Sequence, residues 1–291
     1  MPQTLKLPRI LASGHVPAGL TAPALRLALV LLAAADSYGR VSVVKPHLER
    51  DAGVRLDNAD RALQRVRDAV IPTEDGEIKL FDEITYLPGE QKRLAGIVTA
   101  SVSGTFRSFA GMLGEIHGPI DELRRLTTAP GICLWLYTLP LRQAGPDHRI
   151  RLKDEDTAAV FGEYLSRATI KRSSRGETFQ WTSLSRIYQE LIMPGVEDLF
   201  GALEGWTIDA IPAVPEAGRG RAWSHVELTV TKLAKRPTAR EAMAKYRESV
   251  AYAEARAADR KAERESIKSE EAAQRTENES VIEQGDQGDA A

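Results

Sequence analysis

The sequence predicts an α+β fold, mostly helical, and three observations predict it. Apolar residues recur at helical spacing through most of the first 200 or so positions. Twice, an arginine-bearing helix is followed by two strand-like runs with a basic turn between them. The closing segment, by contrast, has too few apolar residues to build a core.

The 291 residues are 43% apolar, enough for real cores. A length of about 150 residues per domain then gives two domains. The only cysteine, Cys133, cannot close an intrachain disulfide or build a cysteine zinc site, and between Ile132 and Leu134 it reads as a buried thiol in a reducing cytoplasm. No membrane span is expected: Ala22 to Ala35 carries Arg26, and both it and Ile132 to Leu141 fall short of about 18 apolar residues. The first twenty residues show no export signal.

The first helix is expected from Pro23 to Ala35, with Leu25, Leu29 and Leu32 on one stripe and Thr21 as its start signal. A second, Lys45 to Ala52, accepts Pro46 in its first turn, with Ser42 as cap and Gly53 as the stop. The third runs from Asp57 to Val70, buries Ala59, Leu63, Val66 and Val70, and ends at Pro72. Strands at Glu77 to Leu87 and Gly96 to Ser103 flank a turn containing Lys92 and Arg93. A helix-turn-helix followed by a basic hairpin is a winged helix. Residues 105 to 141 read as further helix, with Phe106, Phe109, Met112, Leu113 and Ile116 and then Leu123, Leu126, Leu134, Trp135, Tyr137 and Leu139 as its apolar residues.

After Gly145-Pro146-Asp147 the order recurs: a helix from Asp154 to about Ala168, a basic segment from Lys171 to Arg175, a helix from Thr182 to Met193, and a further helical turn through Leu203. Strands at Trp206 to Val214 and Ala222 to Thr231 then flank a turn bearing Arg219 and Arg221. The predicted architecture is two tandem winged-helix domains, residues 20–144 and 150–233, followed by a solvated charged helix and a disordered acidic tail over 238–291. Net charge divides the same way. Residues 1–236 hold 30 basic and 28 acidic side chains, and residues 237–291 hold 9 and 13.

Signals for catalysis are absent. The five histidines are scattered, and no phosphate-cradling glycine loop or Gly-x-Ser-x-Gly elbow occurs, so neither an enzyme nor a cofactor is expected. The positive signal is arginine placement. On the helix Thr182 to Met193 the apolar face is Leu184, Ile187, Tyr188, Leu191 and Ile192, which turns Ser183, Arg186, Gln189 and Glu190 outward. Arg and Gln make bidentate contacts with guanine and adenine edges in the major groove. Lys171, Arg172, Arg175, Arg219 and Arg221 carry charge suited to phosphates. Arg61, Arg65, Lys92 and Arg93 are the weaker equivalents in the first module, where Asp57, Asp60 and Asp68 compete for them.

The stretch Trp181 to Leu199, WTSLSRIYQELIMPGVEDL, resembles the long reading helix of the theta-type plasmid replication initiators, and Leu126 to Leu139 is similar to the helix that closes their first domain. Trp135 stands where that pattern has arginine, and Thr169 to Glu177 reads as an insertion. The resemblance spans roughly residues 20 to 232. It implies two winged-helix domains that bind repeated origin sites called iterons as monomers and dimerise through the first domain to repress their own gene at an operator. It further implies opening of an A·T-rich element and recruitment of host helicase and initiator proteins. A winged-helix transcriptional regulator without origin function, or a protein-docking winged-helix module, are the alternatives that the residues alone leave open.

Removal of residues 238–291 is expected to leave DNA binding intact, because that segment has no core-forming pattern; gel shifts with the truncated protein check this, and loss of binding contradicts it.

Overall fold

Apolar periodicity, glycine and proline divide the chain into short elements, described here over residues 4–17, 19–56, 59–73, 76–89, 96–161, 170–172, 178–180, 184–213 and 223–233 of a computed structural model. The chain enters through β1 (Thr4–Pro8) and a 3-10 turn, Arg9–Ser13. Helix α1 (Ala22–Ala33) is buried nearly all round, including Leu25, Leu29 and Leu32. Thr21 sits at its N-cap, yet its side chain makes no cap bond, and only its carbonyl accepts, from the Leu25 amide at 2.8 Å.

A turn at Gly39 leads into β2 (Arg40–Val44), which passes directly into α2 (Lys45–Ala52). Val44 rather than Ser42 therefore occupies the N-cap, and Ser42 lies in the strand opposite Thr99. Gly53 ends α2 with φ 60°, a left-handed conformation that costs glycine nothing. Helix α3 (Ala59–Arg67) buries Leu63 and Val66 and stops short of the expected Val70. Val70 instead opens β3 (Val70–Thr73), since β-branched residues favour extended chain. β4 (Gly76–Lys79) pairs with β3, and β5 (Phe81–Leu87) follows after the buried Leu80, so the expected strand Glu77 to Leu87 is two strands. β6 (Ile97–Val102) pairs with both β5 and β2 to give an antiparallel sheet in the order β2-β6-β5.

The segment expected as continuous helix after residue 105 is interrupted. Helix α4 (Gly104–Gly111) ends in a turn at Gly114 (φ 78°), where Met112 is 81% exposed and Leu113 is also exposed rather than in the core. β7 (Glu115–Pro119) then pairs antiparallel with β1, with Leu7 opposite Ile116. Ile116 is thus a core residue of a strand, a placement that only its distant partner β1 determines. α5 (Ile120–Arg125) and α6 (Ala129–Ala144) complete the region, with Thr128 Oγ1 accepting from the Gly131 amide as N-cap of α6.

From α6 onward the order of α1 to β6 repeats. β8 (Asp147–Leu152) follows α6 as β2 follows α1, then α7 (Asp154–Phe161), the hairpin β9 (Ile170–Arg172) and β10 (Thr178–Gln180), and α8 (Leu184–Ile187). A π-helical turn, Tyr188–Ile192, joins α8 to α9 (Met193–Ala202). β11 (Trp206–Ala213) and β12 (His225–Lys232) close a second sheet in the order β8-β12-β11. The extra hairpin differs in place: β3-β4 follows α3, whereas β9-β10 precedes α8. β9 lies at the start of the basic segment Lys171 to Arg175, for which no element was expected.

The helix around Pro194 continues instead of breaking. Proline has no N–H to give and its ring crowds the carbonyl four residues back, here Glu190. The π turn widens the backbone one residue earlier, where the Met193 amide donates to Tyr188 O, five residues back. Residues 184–202 thereby form one rod that carries the outward residues of α8 on a scaffold packed against α6.

One apolar core runs through both halves of residues 1–236, with Phe81, Phe106, Trp135 and Phe161 fully buried. The α6–α9 packing requires glycine: a Cβ at Gly195 would lie 2.6 Å from Leu134 Cδ1 and 3.1 Å from the Pro130 carbonyl carbon. Gly195→Ala is expected to destabilise the protein by about 1–3 kcal/mol through overpacking, read from the midpoint of a urea titration; an unchanged midpoint contradicts this packing.

Candidate nucleic-acid interface

Burial in the second half sorts the residues of α8 and its π turn as helical spacing predicts. Leu184, Ile187, Leu191 and Ile192 are buried, while Gln189 and Glu190 are exposed and Arg186 is partly exposed. Tyr188 fastens the rod to the second sheet: its hydroxyl donates to Ala210 O at 3.2 Å, and its ring meets Trp223 edge-on at 5.2 Å. The outward face therefore has a fixed base beneath it.

Arg186 Nε donates to Glu190 Oε1 at 2.6 Å, one helical turn on. With side-chain exposures of 30% and 42%, this pair is screened by water. Such i,i+4 pairs are worth about 0.3–0.5 kcal/mol, far less than a bidentate base contact at about 1–3 kcal/mol, so the pairing orients the guanidinium without withholding it.

In the first half Arg61 and Arg65 are both exposed, one turn apart on α3. The competing carboxylate of Asp68 is engaged elsewhere, accepting from Gln64 Nε2 at 2.6 Å and lying 4.0 Å from Arg67 Nε. Lys171 and Arg172 fall on β9, opposite Phe179 and Thr178. Ser183, Arg175, Lys92, Arg93, Arg219 and Arg221 lie outside the described residues, as do Asp57, the wing tips and the charged tail.

Residues 147–152, for which no element was expected, form β8. Arg149 and Arg151 are exposed on its outer side while Leu152 is buried, and Arg149 approaches Glu227 of β12 at 3.8 Å. The period-two alternation of Arg149, Ile150, Arg151 and Leu152 is the signal for this strand.

The junction between the halves is polar and was invisible in the sequence. Glu122, fully buried on α5, accepts from Trp135 Nε1 at 2.9 Å, from Arg142 Nη1 and Nη2 at 2.7 and 2.8 Å, and from the Glu204 amide at 2.9 Å. The Arg142 guanidinium also lies 5.4 Å from the Trp206 ring centre. Asp198 of α9 accepts from the Thr127 and Thr128 amides at 2.9 and 2.8 Å and from both hydroxyls, at 2.9 and 2.8 Å. Arg26 of α1 is buried and donates to Arg124 O at 2.8 Å. Burial lowers its pKa from the usual guanidinium value, an effect that the Asp198 charge opposes. Cys133 is buried as expected, and burial pushes its thiol pKa up, which disfavours the reactive thiolate.

Among the described residues, no group of three or more histidine, cysteine or acidic side chains is placed to hold a metal ion, and no helix is long and apolar enough to cross a membrane. No protein-family model matches the sequence, and no curated protein matches it either. The fold is similar to that in a crystal structure of Pi initiator protein in complex with iteron DNA, with a TM-score of 0.55 over 80% of this chain and 99% of that one. At 12% identity the likeness is one of fold.

Removing one partner of a buried ion pair leaves the other charge uncompensated. Glu122→Ala is therefore expected to cost about 3–5 kcal/mol of stability by chemical denaturation, and a loss below about 1 kcal/mol contradicts the role of this carboxylate in the junction.

Proposed function

We propose that this chain is a sequence-specific double-stranded DNA-binding protein that initiates plasmid replication at repeated origin sites. The observation that carries the reading is the repeated arrangement of an exposed arginine helix followed by a strand hairpin, α3 with β5-β6 and α8 with β11-β12, within a fold similar to that of an initiator solved on iteron DNA. In this reading each half is a winged helix. α8 enters the major groove with Arg186 and Gln189 facing base edges, α3 faces a neighbouring groove with Arg61 and Arg65, and the basic hairpin tips hold phosphates.

The protein does this without catalytic chemistry or a cofactor. Phosphate contacts supply affinity, base contacts supply register, and binding two adjacent grooves helps bend and unstack a weak neighbouring duplex. Origin opening, recruitment of host replication proteins in the cytoplasm and repression of its own gene by a dimer complete the proposal.

Arg186→Ala is expected to weaken the preferred site by about 1–3 kcal/mol while leaving scrambled DNA nearly unchanged, so that specificity falls with affinity. Competition gel shifts on both DNAs measure this; equal losses on the two would show that Arg186 contacts phosphate only.

A further inference from the structure

Polar contacts tie α9, which continues the α8 rod, to the α5–α6 turn and α1 to the end of α5, and α1 in turn packs against α3. On the α3 side the link is packing: α1 lies against both α2 and α3, and Gly53 at the end of α2 sits so close that a Cβ there would lie 3.2 Å from Arg26 Nη1. Arg26 of α1 donates to Arg124 O at the end of α5, three residues before the Thr127 that Asp198 holds. Asp198 gathers the amides and hydroxyls of Thr127 and Thr128, between α5 and α6. Asp198 also rides on the same rod as Arg186, since the π turn joins α8 to α9 without a break. A turn further along, the Glu204 amide donates to Glu122 of α5 at 2.9 Å, and the Glu204 carboxylate accepts from Arg125 Nη2 at 2.8 Å.

The chemistry of these contacts favours positioning over adhesion. Apolar packing tolerates small slips, whereas a carboxylate holding four donors loses them when the element shifts by an ångström. Close backbone approach adds to this, because a Cβ at Gly131 would clash with the Asp198 carboxylate. Burying Glu122 and Arg142 adds little net stability compared with apolar residues, so a role in fixing geometry accounts for the pair better than a role in strength.

We propose that Asp198 and Glu122 are positioning residues for DNA recognition: they fix the distance and angle between the exposed faces of α3 and α8, so that the protein accepts only one separation between the two stretches of DNA it reads. This rests on the DNA-binding reading above. One inserted base pair moves the second stretch by about 3.4 Å and turns it by about 35° around the duplex, which a fixed pair of helices cannot follow.

Two measurements on the full chain test this. The first reads the geometry without DNA: spin labels at R65C and Q189C, with Cys133 buried and unreactive, give the distance distribution between α3 and the α8 rod by pulsed electron resonance. A single narrow distribution is expected, widened at least about twofold by Asp198→Ala and less by Asp198→Asn, which keeps the side chain's shape, with circular dichroism unchanged. The second measures affinity for a selected site and for versions with one or two base pairs inserted between its protected segments. The unaltered protein is expected to lose at least about tenfold per insertion, and Asp198→Ala less than about threefold. Equal distance widths in protein and variants overturn the clamp itself. Equal spacing dependence overturns its role in recognition. Distances that behave as expected, in a protein that prefers no DNA sequence, overturn the DNA-binding reading and the recognition role together while leaving the clamp intact.

Discussion

A carboxylate with no access to water lies at the centre of this molecule. Glu122 is held by a tryptophan N–H, both arms of an arginine and a backbone amide. Two of the donor residues, Trp135 and Arg142, lie on α6 and the third, Glu204, in the turn into β11, while Glu122 itself belongs to α5. A buried charge is tolerable only with such partners, and losing one leaves the rest exposed to the full cost of desolvation. Satisfying this one group ties α6 and the turn after α9 to α5. Asp198 repeats the device at the other end of α6, where it also meets the unpaired amides of a helix start.

Upon this junction the chain builds the same six elements twice, and each copy turns an arginine-bearing helix outward in front of its sheet. The second copy differs by a π turn that lets the helix run past Pro194, joining the outward face of α8 to the junction without a flexible loop. That continuity matters for the proposed function, because DNA presents its grooves at fixed intervals and a reader with two helices gains from holding them at one interval.

Local patterns were legible in the sequence and distant partners were not. α1 and α2 show in apolar spacing, Pro46 and Gly53, and the hairpins β5-β6 and β11-β12 in β-branched runs around basic turns. β1 and β7 are separated by more than a hundred residues, so nothing near Ile116 marks it as strand rather than helix. β8 is short and charged, and its alternation is easily read as a linker. Ser42 looked like a cap because capping residues precede helices, but β2 runs straight into α2 and claims it for the sheet. At the candidate interface, the outward turn of Arg186, Gln189, Arg61 and Arg65 followed from helical period alone. The junction did not, since Glu122 finds its partners 13, 20 and 82 residues away.

In the proposed function, the exposed faces of α3 and α8 read DNA. A gel-shift titration at two salt concentrations, with the DNA flanking this protein's own gene and a scrambled competitor, tests it most directly. Laddered, salt-sensitive shifts are expected on direct repeats, which the competitor does not displace. A single shift confined to an inverted repeat would contradict the initiator reading, and absence of any salt-sensitive shift would contradict DNA binding altogether.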